Sequence, residues 1–325
     1  MIKKLLVLTL SLLLAVSLFA CGGGNDTGTA ASTDKPQTET EKTDDTQPSN
    51  AETNANTQDV TEADAPTDTE AATEPEEVKG NENLEISEKI DYVMITGKGE
   101  CDGKDIIIPS HINGKPVTVI DEDAFRESDI TSIVIPWTVT KIDEDAFVDC
   151  KDLSSVTLSE GLRYISTSAF YGCAALKSIT LPASIERIAS YAFRFCSALE
   201  EVVILGDTTL DNNVFSDCES LSSITFKSPG AIPYELGSNI CPQASLKTLI
   251  FSEGLTKIGS WAFADTTALT EVYLPASLTV IDACAFLRSG IVKVYYAGSE
   301  EQWKSIEIKN SNDPLNSAEI IYDYK

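Results

Sequence analysis

The sequence predicts a repeat solenoid with a parallel β-sheet face and a short helical or irregular convex side. Three consecutive rows of 23 residues, spanning 131–199, place the same chemistry in the same column. Each row contains two apolar residues one position apart, an Ala-Phe pair, a Cys and a closing Leu. One turn of this length cannot bury its apolar face alone, so neighbouring turns stack to complete a core.

The phenylalanine of this motif continues along the chain and indicates the number of turns. Its steps are 22 or 23 residues, except for one step of 48 from Phe215 to Phe263 that spans two turns. One of these two turns, residues 222–246, carries Asn239-Ile240 in place of the Ala-Phe pair. We therefore expect about eight turns of 22–25 residues, with the phenylalanine at Phe125, Phe147, Phe170, Phe193, Phe215, Phe263 and Phe286.

The opening of the repeat region has a more specific pattern. Residues 106–125 read IIIPSHINGKPVTVIDEDAF, with a turn at Asn113-Gly114. This segment resembles the opening repeat of BspA-type leucine-rich repeat proteins, and the resemblance covers roughly 92–325. It implies a leucine-rich repeat solenoid over 106–291, an N-terminal cap at 84–105 and a C-terminal cap at 292–325. It also implies adhesion or protein interaction as the function.

The first 20 residues have the features of an export signal. Lys3 and Lys4 precede an apolar run that ends at Phe19 and is too short and wrongly flanked for a retained membrane span. Ala20-Cys21 resembles the end of a bacterial lipobox, which implies cleavage before Cys21, lipid on its thiol and an anchor facing the extracellular side. The alternative is an ordinary secretory signal that contains a cysteine.

Residues 21–83 form an acidic, threonine-rich segment without periodicity. From Gly22 to Asn83 there are sixteen acidic residues and three lysines, a net charge of −13. This composition cannot offset the entropy of ordering, so we expect a disordered tether. Residues 1–20 carry a net charge of +2 and residues 22–83 carry −13, so the total of −27 leaves −16 for residues 84–325. Nucleic-acid binding, which needs a basic surface, is therefore not expected.

Four cysteines occupy one column, three residues after the phenylalanine: Cys150, Cys173, Cys196 and Cys218. Turns stacked about 4.8 Å apart hold parallel Cβ atoms slightly too far apart for an unstrained disulfide. Ligands along a line also do not converge on a metal ion. We expect buried structural thiols, with disulfides or a metal as the alternatives. A disulfide or a reactive thiol would more readily involve Cys101, Cys241 and Cys284, which lie outside this column.

The sequence contains few residues suited to catalysis. His111, the single histidine, is interpreted as a turn residue with no nucleophile placed against it. Asp121-Glu122-Asp123 and Asp143-Glu144-Asp145 repeat on adjacent turns, and we favour helix-start residues over stacked calcium ligands. The sequence has neither a phosphate loop nor a nucleophile elbow. We therefore predict that the protein is not an enzyme and has no cofactor, catalytic residue or metal site.

The outward positions of the predicted sheet form the candidate binding surface. They hold mainly hydroxyl-bearing residues early in the chain and more apolar or aromatic residues late. For the early half, a solvated sheet face is the simpler interpretation, because threonine suits strands. Adjacent exposed apolar and aromatic residues anchor interfaces, so the late half supplies the candidate site. Its residues are Val203, Thr248, Ile250, Glu271, Tyr273 and Tyr295.

Together these features predict an exported, lipid-anchored surface protein that recognises an extracellular protein through this sheet face. The partner would belong to a host matrix or to a neighbouring cell. The alternative is a glycan-binding surface lipoprotein that holds polysaccharide near the cell, with sugar rings stacked on Tyr273 and Tyr295.

Overall fold

The computed structural model describes residues 75–324 apart from residues 228, 231 and 243. The export signal, Cys21 and the tether up to residue 74 lie outside the described residues. Short strands and two short helices make up this part of the chain, and neither helix is long and apolar enough to cross a membrane. In chain order the elements are β1 (Glu85–Glu88), β2 (Val93–Gly97), β3 (Asp105–Ile107), β4 (His111–Ile112), β5 (Lys115–Ile120), β6 (Ser132–Ile135), β7 (Lys141–Ile142), β8 (Ser155–Leu158), β9 (Tyr164–Ile165), β10 (Ser178–Leu181), β11 (Arg187–Ile188), β12 (Glu201–Ile204), β13 (Thr209–Leu210), β14 (Ser223–Phe226), β15 (Tyr234–Leu236), β16 (Thr248–Ile250), β17 (Leu255–Ile258), β18 (Glu271–Leu274), β19 (Val280–Ile281), β20 (Lys293–Tyr296), α1 (Glu300–Ser305), β21 (Glu307–Ile308), α2 (Asp313–Ser317) and β22 (Glu319–Ile321).

These strands form two ladders, so each turn contributes one strand to each. The first ladder runs β3-β6-β8 and then β10-β12-β14-β16-β18-β20-β22, with β8 and β10 adjacent but not paired by hydrogen bonds. The second ladder runs β1-β2-β5-β7-β9-β11-β13-β15-β17-β19-β21, and β4 pairs with β5. The pairings are parallel except for β1 with β2 and β4 with β5. The predicted parallel solenoid is therefore confirmed.

Alternating burial along the first ladder explains why these segments are strands. In β10 the side chains of Ile179 and Leu181 are buried, while Ser178 and Thr180 are exposed. Successive side chains of a strand point to opposite faces, so an apolar pair one residue apart packs inward on every turn. The inward residues of the stacked turns join one continuous core.

The third side of each turn is irregular rather than helical. Residues two before and two after the motif phenylalanine adopt left-handed backbone conformations, as in Asp145 (φ 56°) and Asp149 (φ 56°) around Phe147. Two left-handed residues within five break a helix, while Asp and Asn tolerate this conformation better than most residues. The helix-start interpretation of Asp121–Asp123 and Asp143–Asp145 is therefore wrong, because Asp123 and Asp145 are themselves left-handed.

The motif phenylalanines form a stack in the core. Phe147 and Phe170 are parallel within 4° with ring centroids 4.9 Å apart, and Phe170 and Phe193 are within 3° at 5.1 Å. Both distances lie in the range of attractive offset stacking. The tight turn that carries each phenylalanine is anchored to its neighbour, as when the Phe147 N–H donates to the Ala169 carbonyl at 2.8 Å.

The irregular turn at 222–246 departs from the expected alignment. The Phe215 N–H donates to the Ile240 carbonyl at 2.8 Å, and the Cys241 N–H donates to the Ala262 carbonyl at 3.0 Å. Ile240-Cys241 therefore takes the place of Ala-Phe, one residue later than Asn239-Ile240. The smaller side chain at Cys241 coincides with three large buried neighbours in this region: Phe226, Tyr234 and Phe251.

The first ladder contains ten strands among the described residues, which gives about ten turns rather than the expected eight. The difference lies in the segment predicted as the C-terminal cap, because β20 and β22 continue the ladder beyond residue 291. The Ala-Phe motif ends at Phe286, so a count based on this motif omits both strands. Trp303 of this segment is 9% exposed and packs edge-on against Tyr296 at 5.2 Å.

Candidate functional site

The register of the first ladder places most of the predicted binding residues side by side. Ile250, Tyr273 and Tyr295 occupy equivalent outward positions on β16, β18 and β20. Thr248 and Glu271 are neighbours in the adjacent outward column. Val203 is in the same column as Ile250, but Thr225 separates them. Five of the six predicted residues therefore form one patch, which we call the tyrosine patch, and Val203 lies apart from it.

Two residues from the chain end complete this patch. Tyr324 packs edge-on against Tyr273 at 5.1 Å, its ring is tilted against that of Tyr295 at 5.2 Å, and it remains 43% exposed. Ile321 of β22 pairs with Tyr295 and extends the same column. Sequence reasoning missed both, because no strand was predicted after residue 295. The β-branched and aromatic residues of the segment AEIIYDY were the signal that could have revealed them.

Tyr273 and Tyr295 are stacked face to face. Their rings are parallel within 5°, with centroids 4.3 Å apart. Each ring therefore covers one face of the other, and Tyr324 packs against both. Both tyrosines are half-buried in this arrangement. Since its side chains are already held in place by each other, little rotamer freedom remains to be lost on binding.

Charged side chains surround the aromatic pair. The Tyr273 hydroxyl donates to a Glu271 carboxylate oxygen at 3.4 Å. Partial burial, followed by the charge of Glu271, raises the pKa of Tyr273 to about 12, so its hydroxyl stays protonated and can donate. The Lys293 ammonium lies 5.9 Å from the Tyr295 ring centroid and 3.6 Å from a Glu319 carboxylate oxygen. An apolar and aromatic centre with a charged rim has the composition of a protein interface.

The cysteine column is structural. All seven cysteines of the described region are free, and the four column cysteines are buried. Their thiols lie against the Phe carbonyl of the preceding turn, as in Cys150 to Phe125 at 2.9 Å and Cys173 to Phe147 at 3.3 Å. Burial raises the pKa of Cys150 to about 12, so this thiol is unreactive at neutral pH.

Cys241 does not fulfil the expectation of a more reactive thiol. It is fully buried, and burial raises its pKa well above the ordinary range. The structure places it in the phenylalanine column, where it faces the core. Cys101 is also buried, whereas Cys284 is half-buried.

The remaining candidates for chemistry are engaged in local contacts. A nitrogen of His111 lies 3.2 Å from the Ser110 hydroxyl, and the ring lies 6.2 Å from that of Trp137. Arg126 bridges the acidic stack with hydrogen bonds of 2.9 Å to both Asp123 and Asp145. Within the described residues, no group of three or more His, Cys, Asp or Glu side chains is arranged to hold a metal ion.

A second aromatic cluster, missed from the sequence, lies on the irregular side. The Arg194 guanidinium lies over the rings of Phe195 at 4.6 Å and Tyr191 at 5.5 Å, and Tyr171 packs edge-on against Phe195. Tyr191 and Phe195 are exposed and adopt left-handed conformations (φ 64° and 61°). The equivalent positions of most other turns hold Asp, Asn, Ser or Gly, with Glu127, Trp261, Cys284 and Arg288 as the exceptions, and this contrast was the available signal.

Comparison with known proteins supports the repeat assignment. The family model described as BspA type leucine rich repeat region matches with six copies over residues 118–235 and 207–313. A search of curated proteins gave no match.

Several solved structures are similar to this chain. A leucine-rich repeat protein from Bacteroides capillosus is 37% identical over 40% of this chain and 99% of its own, with a TM-score of 0.37. A leucine-rich repeat protein from Bacteroides ovatus is 23% identical over 77% of this chain and 78% of its own, with a TM-score of 0.38. The pneumococcal vaccine antigen PcpA is 16% identical over 76% of this chain and 98% of its own, with a TM-score of 0.36.

The family model spans more than half of the 325 residues, and its repeats coincide with the stacked turns of the structure. The assignment rests on these repeats and not on the overall superpositions. The chain belongs to the BspA-type leucine-rich repeat proteins.

Proposed function

We propose that this protein is a non-catalytic recognition and adhesion protein of the bacterial surface that binds an extracellular protein through the tyrosine patch. The family consists of bacterial surface proteins, which supports the coarse role. The observation that carries the finer proposal is the preordered stack of Tyr273 and Tyr295 beside exposed Ile250 and Tyr324. Aromatic anchors with restricted side chains and a charged rim are the usual centres of protein interfaces.

The geometry of the patch supports a protein partner over a glycan. A sugar that stacks on tyrosine needs a free ring face, and Tyr273 and Tyr295 each use one face to stack on the other. Tyr324 packs its ring against both. Ring edges, hydroxyls and the Ile250 side chain are better suited to a protein surface of mixed polarity.

The test is a binding screen of the full chain against purified extracellular matrix proteins and a glycan array. The key variant is Tyr273→Ala/Tyr295→Ala, and the matched control is Tyr164→Ala, which removes a 39% exposed tyrosine from the second ladder. We expect a protein ligand whose affinity falls roughly 30-fold or more in the double variant, as for hot-spot residues, and stays unchanged in the control. Equal affinities in both variants would refute the tyrosine patch, and glycan-only binding would favour the glycan-binding alternative.

We also propose that lipid on Cys21 anchors the protein to the membrane. Support comes from the order of basic residues, apolar run and small residue before Cys21. Replacement Cys21→Ser should release the protein from the membrane fraction and prevent incorporation of labelled fatty acid. Unchanged membrane attachment in this variant would contradict the anchor.

A further inference from the structure

The two ends of the first ladder are covered differently. At the N-terminal end, Asn81 covers β3: its backbone N–H donates to the Ile107 carbonyl at 2.7 Å, and its side-chain oxygen accepts from the Ile107 N–H at 2.5 Å. The Ser110 N–H then donates to the Val78 carbonyl at 3.0 Å. The core residue of this first strand, Ile106, is 1% exposed. Val78 and Asn81, which lie in the segment expected to be a disordered tether, therefore close this end.

The C-terminal end has no equivalent cover among the described residues. β22 is the last strand of the ladder. The Glu319 N–H points back to the preceding turn, where it donates at 3.0 Å to the carbonyl of Val292, the residue before β20. Since successive residues of a strand direct their backbone groups to opposite sides, the N–H and C=O of Ile320 point to the open side. After β22 the chain turns back, and the Tyr324 N–H donates to the Tyr296 carbonyl.

The open edge also leaves one core position incompletely covered. The inward column of the last strands runs through Val272, Val294 and Ile320 in register. Val272 and Val294 are fully buried, but Ile320 is only half-buried, because no following turn of the described residues covers it. An added strand would thus complete backbone pairing and apolar burial at the same residue.

The charges beside this edge indicate the kind of strand that fits. Glu271, Lys293 and Glu319 alternate in sign in one outward column, and the Glu319 side chain is 67% exposed. Opposite charges on directly paired residues stabilise a sheet, so the next position favours Lys or Arg. The chain carries a net charge of −27, which disfavours a second copy as the occupant.

We propose that the open edge of β22 binds an extended segment of a partner protein that pairs with Ile320 as one more strand of the ladder. The segment places a Lys or Arg opposite Glu319, and an apolar residue follows and packs on Ile320. Main-chain hydrogen bonds would give affinity and these two side chains would give selectivity. This inference rests on the proposed recognition function, but it uses a backbone edge rather than the tyrosine patch.

The experiment measures binding of labelled, end-capped peptides to the full chain by fluorescence anisotropy. The first peptide, IVKVYYA, copies residues 291–297, which contain the strand that already pairs with β22. The second peptide, IVEVYYA, reverses the charge of its lysine. We expect the lysine peptide to bind about fivefold more tightly, the upper range for one cross-strand charge pair. Hydrogen exchange should show protection of the Ile320 amide when the lysine peptide binds.

Three variants make the test specific. Glu319→Lys should invert the preference between the peptides, and Glu319→Gln, which avoids repulsion from Lys293, should abolish it. Glu307→Lys makes the same charge change at the same end, but on β21 of the second ladder, and should leave the preference unchanged.

Several outcomes would overturn the proposal. The first is that neither peptide binds. The second is that Glu307→Lys changes the preference between the peptides as much as Glu319→Lys does. The third is that the full chain forms a dimer in which the Ile320 amide is protected without peptide. The two proposed sites can fail separately. If neither peptide binds but Tyr273→Ala/Tyr295→Ala still weakens binding of the protein ligand, only the edge is refuted. If the peptides bind as expected but the double variant leaves the affinity for the protein ligand unchanged, only the tyrosine patch is refuted.

Discussion

Replacement of Asn312 tests how the irregular side of the solenoid is closed at its C-terminal end. In a regular turn the Phe263 N–H donates to the carbonyl of Ala285 in the next turn at 2.8 Å. In the turn after Phe286 a side chain supplies this acceptor, because the Phe286 N–H donates to the Asn312 side-chain oxygen at 3.0 Å. The Asn312 amide nitrogen donates to the carbonyls of Asp282 and Lys309, both at 2.9 Å, and the residue is fully buried. The side-chain amide thus replaces the missing peptide group.

The expected cost follows from these three hydrogen bonds. At about 1 kcal/mol of net stability each, Asn312→Ala should lower the free energy of unfolding by about 3 kcal/mol. Asn312→Asp keeps the acceptor but puts a second carboxylate oxygen against two carbonyls, so at pH 7 it should cost more than Asn312→Ala. Burial favours the protonated form of the new carboxyl, so part of this loss should be recovered as the pH falls towards 4.

Urea unfolding of the full chain measures the stability change, and hydrogen exchange at the Phe286 amide shows whether the loss is local. Asn310→Asp is the matched control, because it makes the same substitution two residues earlier on an exposed side chain. A stability of Asn312→Asp within about 0.5 kcal/mol of the wild type at pH 7, the range of ordinary surface substitutions, would refute the capping role.

Two further predictions concern the core and the irregular side. Because burial raises the pKa of Cys150 to about 12, unfolded chains lose this proton at lower pH than folded ones, so stability should fall as the pH rises above about 9. Between pH 8 and 10.5 the free energy of unfolding in urea should fall less steeply for Cys150→Ala than for the wild type. Equal slopes in the two proteins would contradict the prediction. Phe195→Asn should retain or raise the melting temperature, because Asn tolerates the left-handed backbone (φ 61°) better than Phe. Phe193→Ala, which truncates the buried stack, should instead lower the free energy of unfolding by about 3–5 kcal/mol. An equal loss of stability in both variants would refute the assignment of Phe193 to the core and Phe195 to the surface.

The sequence pattern predicted the first ladder because its information is local and repeated. An apolar pair one residue apart sets the inward face of a strand, and a fixed period aligns that face from turn to turn. The outward column through Ile250, Tyr273 and Tyr295 follows directly from this alignment, and the register confirms it. That these residues bind a partner remains a prediction.

The pattern failed where the period was interrupted. Within the step of 48 residues a shift by one position leaves the apolar pattern almost unchanged, so Ile240-Cys241 could not be distinguished from Asn239-Ile240. In this region Phe226, at the end of β14, packs against Phe251, directly after β16, with ring centroids 4.9 Å apart. The hydrogen bonds between turns identify the correct alignment, and so does the left-handed backbone of Asn239 (φ 54°) two residues before Cys241.

The aromatic cluster around Arg194 was missed for a different reason. Tyr191 and Phe195 stand where a left-handed backbone favours Gly, Asn or Asp, and a solvent-exposed ring adds no core stability. At these two positions the residue type disfavours the left-handed backbone that the repeat imposes. A repeat alignment that recorded backbone requirements as well as apolar columns would have marked both positions.

The ends of the solenoid explain why we place the proposed binding sites at the C-terminal end. Every turn satisfies its neighbour's backbone groups, so a repeat array must close its last donors and acceptors by some other means. Here Asn81 closes the first strand through backbone and side chain, and Asn312 closes the irregular side through a side-chain amide. At β22 the described residues supply neither a backbone segment nor a side-chain amide to cap the strand, and Ile320 is half-buried. The same turn adjoins Tyr295 and Tyr324, so a partner that completed the ladder at Ile320 would lie next to the tyrosine patch.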